Sequence, residues 1–93
     1  MSHGGKKPYR DEQLDENSFL RTFSVDCDSS ELEWHRDAQS RHVEVISGKD
    51  WKFQYDNSLP ETIKPGDEII VEKNEWHRII KGSTDLIVVV HEK

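Results

Sequence analysis

What most constrains this chain is a beat of short alternating segments, each closed by turn-forming residues. In 18–25, Phe19, Arg21, Phe23 and Val25 fall on one side; in 51–55, Trp51, Phe53 and Tyr55 alternate against Lys52 and Gln54. A period of two places successive side chains on opposite faces of an extended strand. Between such segments lie Asp26-Cys27-Asp28-Ser29-Ser30, Gly48-Lys49-Asp50, Asp56-Asn57, Pro65-Gly66 and Gly82-Ser83, all turn chemistry. The spacing predicts strands over 18–25, 31–37, 41–47, 51–55, 61–64, 68–71, 76–81 and 86–90, the last being the most apolar. Gly48 is expected to supply a positive φ and Pro65 the first central position of a tight turn. Asn74 is the expected non-glycine residue in the left-handed region. Short, regularly spaced strands with no helix of consequence predict an all-β sandwich or barrel. The chain reads as free of internal repeats and low-complexity tracts.

With 93 residues there is material for one domain, and with 32% apolar against 34% charged residues its core must be thin. Residues 1–17 are polar and without sustained periodicity, and are expected to form an arm, flexible or draped over the body, with at most a helical turn over 11–17. Residues 18–93 then form the single barrel domain. A thin core favours covering strand faces by association, so a homodimer is expected. A net charge of −6 argues against nucleic-acid or anionic-membrane partners, which need a clustered basic surface. Cys27 is the only cysteine, which excludes an intrachain disulfide; its neighbours Asp26 and Asp28 disfavour a thiolate and with it thiol catalysis. No apolar run approaches the roughly 20 residues that span a bilayer, and no apolar signal segment follows Met1, so a cytoplasmic location is expected.

Ionisable residues concentrate in 33–48. Read as strand, 31–37 puts Glu33, His35 and Asp37 on one face, with Leu32 and Trp34 on the other. In the next strand Arg41, Val43 and Val45 share a face, with His42, Glu44 and Ile46 opposite. His77 follows the turn at Lys64-Pro65-Gly66-Asp67-Glu68 at a distance suited to a strand folding back. These positions predict a barrel pocket centred on His35, Asp37, Arg41 and His77, with Glu33 lining its mouth. His42 has outward parity, His91 can face either way, and His3 lies in the arm. Trp34 and Trp76 each precede a pocket histidine and so face outward, where they fit packing or a dimer contact. Arg36 and Arg78 share that outward parity.

The same residues resemble the two signature motifs of the cupin superfamily, small double-stranded β-helix barrels. The first motif of that family runs His-x-His, three or four residues, Glu, six residues, Gly; here His35-x-Asp37, Arg41 and Gly48 keep the spacing. The second runs Gly, five residues, Pro-x-Gly, two residues, His; here Gly66, Glu72-x-Asn74 and His77 keep it. The resemblance covers the chain from about Phe19 onward and implies a cupin jelly-roll barrel. It also implies that the motif positions are metal ligands, of which Asp37 and Arg41 depart from the family's histidine and glutamate.

Two imidazoles and one carboxylate form the facial triad that holds non-haem Fe(II) and that accepts Mn, Zn or Ni as well. His35, Asp37 and His77 are therefore the expected ligands of a divalent metal. Arg41 cannot give up its proton and so cannot be a ligand. It is suited instead to grip a carboxylate or phosphate of a small anionic substrate, with Glu33 beside it. An oxygenase, lyase or isomerase fits that design. The alternative is an Asp37–Arg41 ion pair that removes the carboxylate from metal duty. The barrel is then a metal-free site for a small molecule, or a structural or regulatory oligomer. No glycine-rich phosphate loop is present, so no organic cofactor is expected.

Overall fold

The computed structural model describes residues 9–26 and 32–92, and they form eight strands. These are β1 (Tyr9–Gln13), β2 (Ser18–Phe23), β3 (Arg41–Ser47), β4 (Lys52–Tyr55), β5 (Glu61–Thr62), β6 (Glu68–Val71), β7 (His77–Ile80) and β8 (Leu86–Glu92). His3 and Cys27 lie outside the described residues, as do Glu31 and the first part of the polar arm.

Alternation in the sequence becomes alternation in burial. Leu86, Val88 and Val90 of β8 are buried, while Ile87, Val89 and His91 between them are half-exposed. β2 does the same with Phe19, Arg21 and Phe23. Two antiparallel sheets result, one in the order β1-β2-β8-β3-β6 and one in the order β5-β4-β7. The core between them gathers Phe19, Phe23, Val45, Trp51, Ile63, Leu86, Val88 and Val90. Trp51 is fully buried, and its indole N–H donates to the Thr84 carbonyl at 2.6 Å, so its one polar atom is satisfied.

The turns work by backbone geometry. Asp67 N–H donates to the Lys64 carbonyl at 2.9 Å and Gly66 has φ +94°, a type II turn with Pro65 where it was expected. Asn74 takes the left-handed conformation at φ 62°, and so does Asp50 at φ 66°. Gly82 is required for a different reason. A Cβ there would stand 2.1 Å from the Lys49 carbonyl oxygen, so only glycine lets the two turns press together. Ile46 is skipped in the β3–β8 register, which goes from Val45↔Val88 to Ser47↔Ile87, a bulge that leaves Ile46 on the surface.

Two expectations are corrected. The span 31–37 is not a strand: its described part meets a sheet only at His35, through one bridge to His77. Its inward parity is Glu33, His35 and Asp37, so a longer ladder would bury no apolar surface to offset the ordering of the backbone. Conversely, Tyr9–Gln13, expected within the arm, is an edge strand paired along its length with β2. What holds it is Arg21, a buried cation in β2. Asp11 takes a bidentate pair from Arg21 at 2.8 and 3.0 Å, and the Tyr9 ring lies 3.6 Å under the guanidinium. Polar composition hid the strand because its partner lies in another segment. Among the described residues no helix is long and apolar enough to cross a membrane.

Leu86 is 1% exposed and Leu59 83% exposed. Leu86→Ala is expected to lower unfolding free energy by about 2–5 kcal/mol and Leu59→Ala by no more than about 0.5 kcal/mol, as read by urea denaturation.

Candidate metal centre

His35 and His77 face each other across a closed antiparallel bridge. His35 N–H donates to the His77 carbonyl at 3.0 Å, and His77 N–H returns the bond to the His35 carbonyl at 2.8 Å. Both imidazoles then point into the barrel on the same side, with ring centroids 4.4 Å apart. Asp37, two residues on, keeps the inward parity, and its carbonyl accepts from Asn74 N–H at 2.7 Å. The left-handed turn at Asn74 therefore anchors the segment that carries two of the three groups.

The hydrogen bonds of the rings decide which nitrogens face inward. Nδ1 of His35 lies 2.9 Å from the Glu33 carbonyl oxygen, and Nδ1 of His77 lies 2.8 Å from that of Glu75. A carbonyl can only accept, so each Nδ1 carries a proton and each Nε2 is turned inward, where it offers a lone pair when the ring is neutral and a second N–H when it is protonated. This arrangement fixes tautomer and orientation in metal-binding histidines. Nε2 of His77 stands 3.3 Å from the Asp37 carboxylate. Contact with His77 holds the Asp37 carboxyl below its ordinary range, helped by the charges of Arg41 and of the two imidazoles, while burial opposes. Asp37 is thus an anion, and two acceptors face each other unless a cation joins them. That cation is either a proton on His77 or a metal ion ligated by both.

The donor set fits a metal. One ligand atom from each of His35, Asp37 and His77 lies within 4.8 Å of the others. Two ligands held at right angles about 2.1 Å from one ion stand about 3 Å apart, close to the His77–Asp37 separation. His77 is buried and stacked on Phe53 at 5.6 Å, so the third donor is rigid.

Arg41 also lines the cavity. It gives Nε and Nη2 to Glu92, directly opposite on β8, at 3.1 and 2.9 Å. Its Nη1 reaches toward Asp37 at 3.7 Å, too long for a hydrogen bond. Glu92, which sequence reasoning did not single out, thus takes the hydrogen bonds of Arg41, while the expected Asp37–Arg41 ion pair is kept at the longer 3.7 Å. The carboxylate keeps lone pairs free for a cation. Glu33 is brought to the site only through its backbone. Its side chain is exposed and does not line the cavity. The cavity is small, ≈ 70 Å³, with a wall of aliphatic side chains such as Val43, Ile69, Ile79 and Val88. His42 is outward as expected, stacked on His91 at 5.5 Å and bonded to Glu68 at 2.6 Å, away from the pocket.

One signal in the sequence was missed. Glu33-Trp34-His35-Arg36 recurs as Glu75-Trp76-His77-Arg78, so the expectation of no repeats is corrected. The repeat supplies both bridge histidines and both carbonyls that orient them.

No protein-family model matches the sequence, and no curated protein matches it. Solved structures do. A cupin-2 domain-containing protein from Shewanella frigidimarina is 14% identical with a TM-score of 0.68, over 100% of this chain and 84% of that one. A cupin domain from Bordetella pertussis is 16% identical with a TM-score of 0.62, over 97% and 99%. HppE in its Fe(II) form is 12% identical with a TM-score of 0.64, over 82% of this chain and 41% of that one. At these identities the likeness is one of fold.

A lowered carboxyl pKa contributes stability that is present above the unfolded value of 3.8 and is lost as pH falls through the folded value. Metal-free protein is therefore expected to exceed Asp37→Asn in stability at about pH 6, the gap narrowing as the pH is taken below the unfolded value of 3.8. Urea unfolding of both proteins across that range measures it. A gap independent of pH would mean that Asp37 is not held as an anion.

Proposed function

The chain has the cupin fold, a double-stranded β-helix barrel, and on that premise we propose that it binds one divalent metal ion and a small anionic organic molecule. His35 and His77 hold the ion through Nε2 and Asp37 through its carboxylate. The observation that carries this reading is the commitment of both Nδ1–H groups to carbonyls, which turns both Nε2 atoms inward beside the Asp37 carboxylate, one possible ligand atom from each residue lying within 4.8 Å of the others. Imidazole and carboxylate donors suit Fe, Mn, Zn or Ni. The fold shared with Fe(II) HppE lends support to iron. When bound, such an ion supplies Lewis acidity and, if iron, redox chemistry, which suits an oxygenase, lyase or isomerase.

The remaining residues define the organic ligand. Arg41, held by Glu92, keeps Nη1 toward the site and orients a carboxylate or phosphate there. The aliphatic wall and the ≈ 70 Å³ cavity suit a body of few heavy atoms and exclude water around it. The partner in this reading is a small molecule, not nucleic acid or membrane. A second reading is favoured by the 3.3 Å contact of His77 with Asp37, which also suits an imidazolium–carboxylate pair. In that case the barrel binds its anion without metal or serves as a structural or regulatory oligomer.

Elemental analysis of protein purified without chelators separates the two. About one metal per chain is expected, absent from His35→Ala and His77→Ala and retained in Arg41→Ala. Saturation at about 100 times Kd should add about 2.7 kcal/mol of stability, read as a rise in melting temperature. Small carboxylates should stabilise the loaded wild type and not Arg41→Ala. Metal-free wild type that is nonetheless stabilised by small carboxylates would overturn the metal reading.

A further inference from the structure

The repeated Glu-Trp-His-Arg unit does more than duplicate a histidine. When two copies pair antiparallel with His35 opposite His77, Trp34 must stand opposite Arg78 and Arg36 opposite Trp76. Their parity puts all four on the outer face of the bridge, behind the inward imidazoles. The contacts follow that register: the Arg78 guanidinium lies 4.6 Å from the Trp34 ring centroid, and that of Arg36 lies 5.2 Å from the Trp76 ring centroid. Both rings remain partly exposed, at 40% and 43%. They therefore form a surface clasp, separate from the buried core.

The bridge needs such a clasp. Among the described residues, the backbone of 32–40 is tied to β7 and its preceding turn by the two bridge bonds and by Asn74 N–H to Asp37 carbonyl. No ladder extends on either side, and the inward groups are polar. We infer that Trp34, Arg36, Trp76 and Arg78 are positioning residues that hold the two imidazoles in register, so that the site is built as a self-paired Glu-Trp-His-Arg duplicate closed by two cation–π contacts. The inference rests on the metal reading only for its consequence for affinity. Its geometry stands without metal.

The two halves are unequal, which sharpens the test. Arg78 is nearer its tryptophan, and its Nε also donates to Gln54 Oε1 at 2.9 Å, on the neighbouring strand β4. Arg36 is exposed and farther from its ring. The Trp34–Arg78 half is therefore the stronger one. A Trp-to-Phe change keeps an aromatic face and should restore most of what Trp-to-Ala loses.

The experiment uses the whole chain with two readouts. Amide hydrogen exchange in metal-free protein follows the His35 and His77 N–H groups against those of β8. Co²⁺ titration, by absorbance, follows the site. Trp34→Ala/Trp76→Ala is expected to exchange about tenfold faster at the two bridge amides with β8 unchanged, and to bind Co²⁺ about tenfold more weakly. Trp34→Phe/Trp76→Phe should lie near wild type, and Arg78→Ala should exceed Arg36→Ala in both readouts. Wild-type exchange at the bridge in the Ala double variant, or an equal rise throughout β8, would overturn the inference. A wild type that binds no Co²⁺ overturns the metal reading instead, and the bridge amides still decide the clasp.

Discussion

A single closed bridge between two histidines is the interaction on which the site depends. Its reciprocal hydrogen bonds, at 3.0 and 2.8 Å, force two side chains from distant parts of the chain to the same side of the same backbone pair. Everything chemical follows from that. The rings stand 4.4 Å apart, each is turned by a carbonyl two residues before it, and Asp37 arrives beside them by strand parity. The barrel contributes the wall behind His77 and the turn at Asn74 that anchors Asp37. The site is thus made where regular structure ends, between the first residue of β7 and a segment, carrying His35 and Asp37, that belongs to no sheet.

Charge partition is the second constraint. Four ionisable groups meet within a few ångströms, and a free choice of partners would neutralise them in pairs. Arg41 is instead drawn to Glu92, because β3 and β8 set those residues directly opposite each other. Asp37 keeps only the longer 3.7 Å ion pair with Arg41 and faces His77 at 3.3 Å. The same logic operates at the other edge, where Arg21 is held by Asp11 and its stacking on Tyr9 draws a polar segment into the sheet. In both places a buried or half-buried arginine in the large sheet selects its carboxylate by register.

Sequence reasoning reached most of the barrel and the grouping of His35, Asp37 and His77 because both are written in local pattern. Period-two alternation announced β2, β3, β4, β6 and β8, and turn chemistry placed Pro65, Gly66 and Asn74. Parity alone put His35 with Asp37, and motif spacing added His77. It failed where the determinant was non-local. Glu33 has the right parity, yet its segment lies at the barrel mouth and only its carbonyl matters. Tyr9–Gln13 looks like solvated chain until Arg21 is known to lie beside it. The Glu-Trp-His-Arg repeat was legible throughout, but four residues carry little meaning until a fold pairs them.

The sequence by itself determined most of the strands, the turns and the chemistry of the groups that meet at the site, because backbone sterics and side-chain chemistry act over a few residues at a time. Tertiary structure alone decided which carboxylate faces which cation, which nitrogen of each imidazole looks inward, and that two copies of one tetrapeptide meet as a pair. Those outcomes depend on register between segments roughly forty residues apart, and register is fixed only when the whole apolar face of the barrel is buried at once.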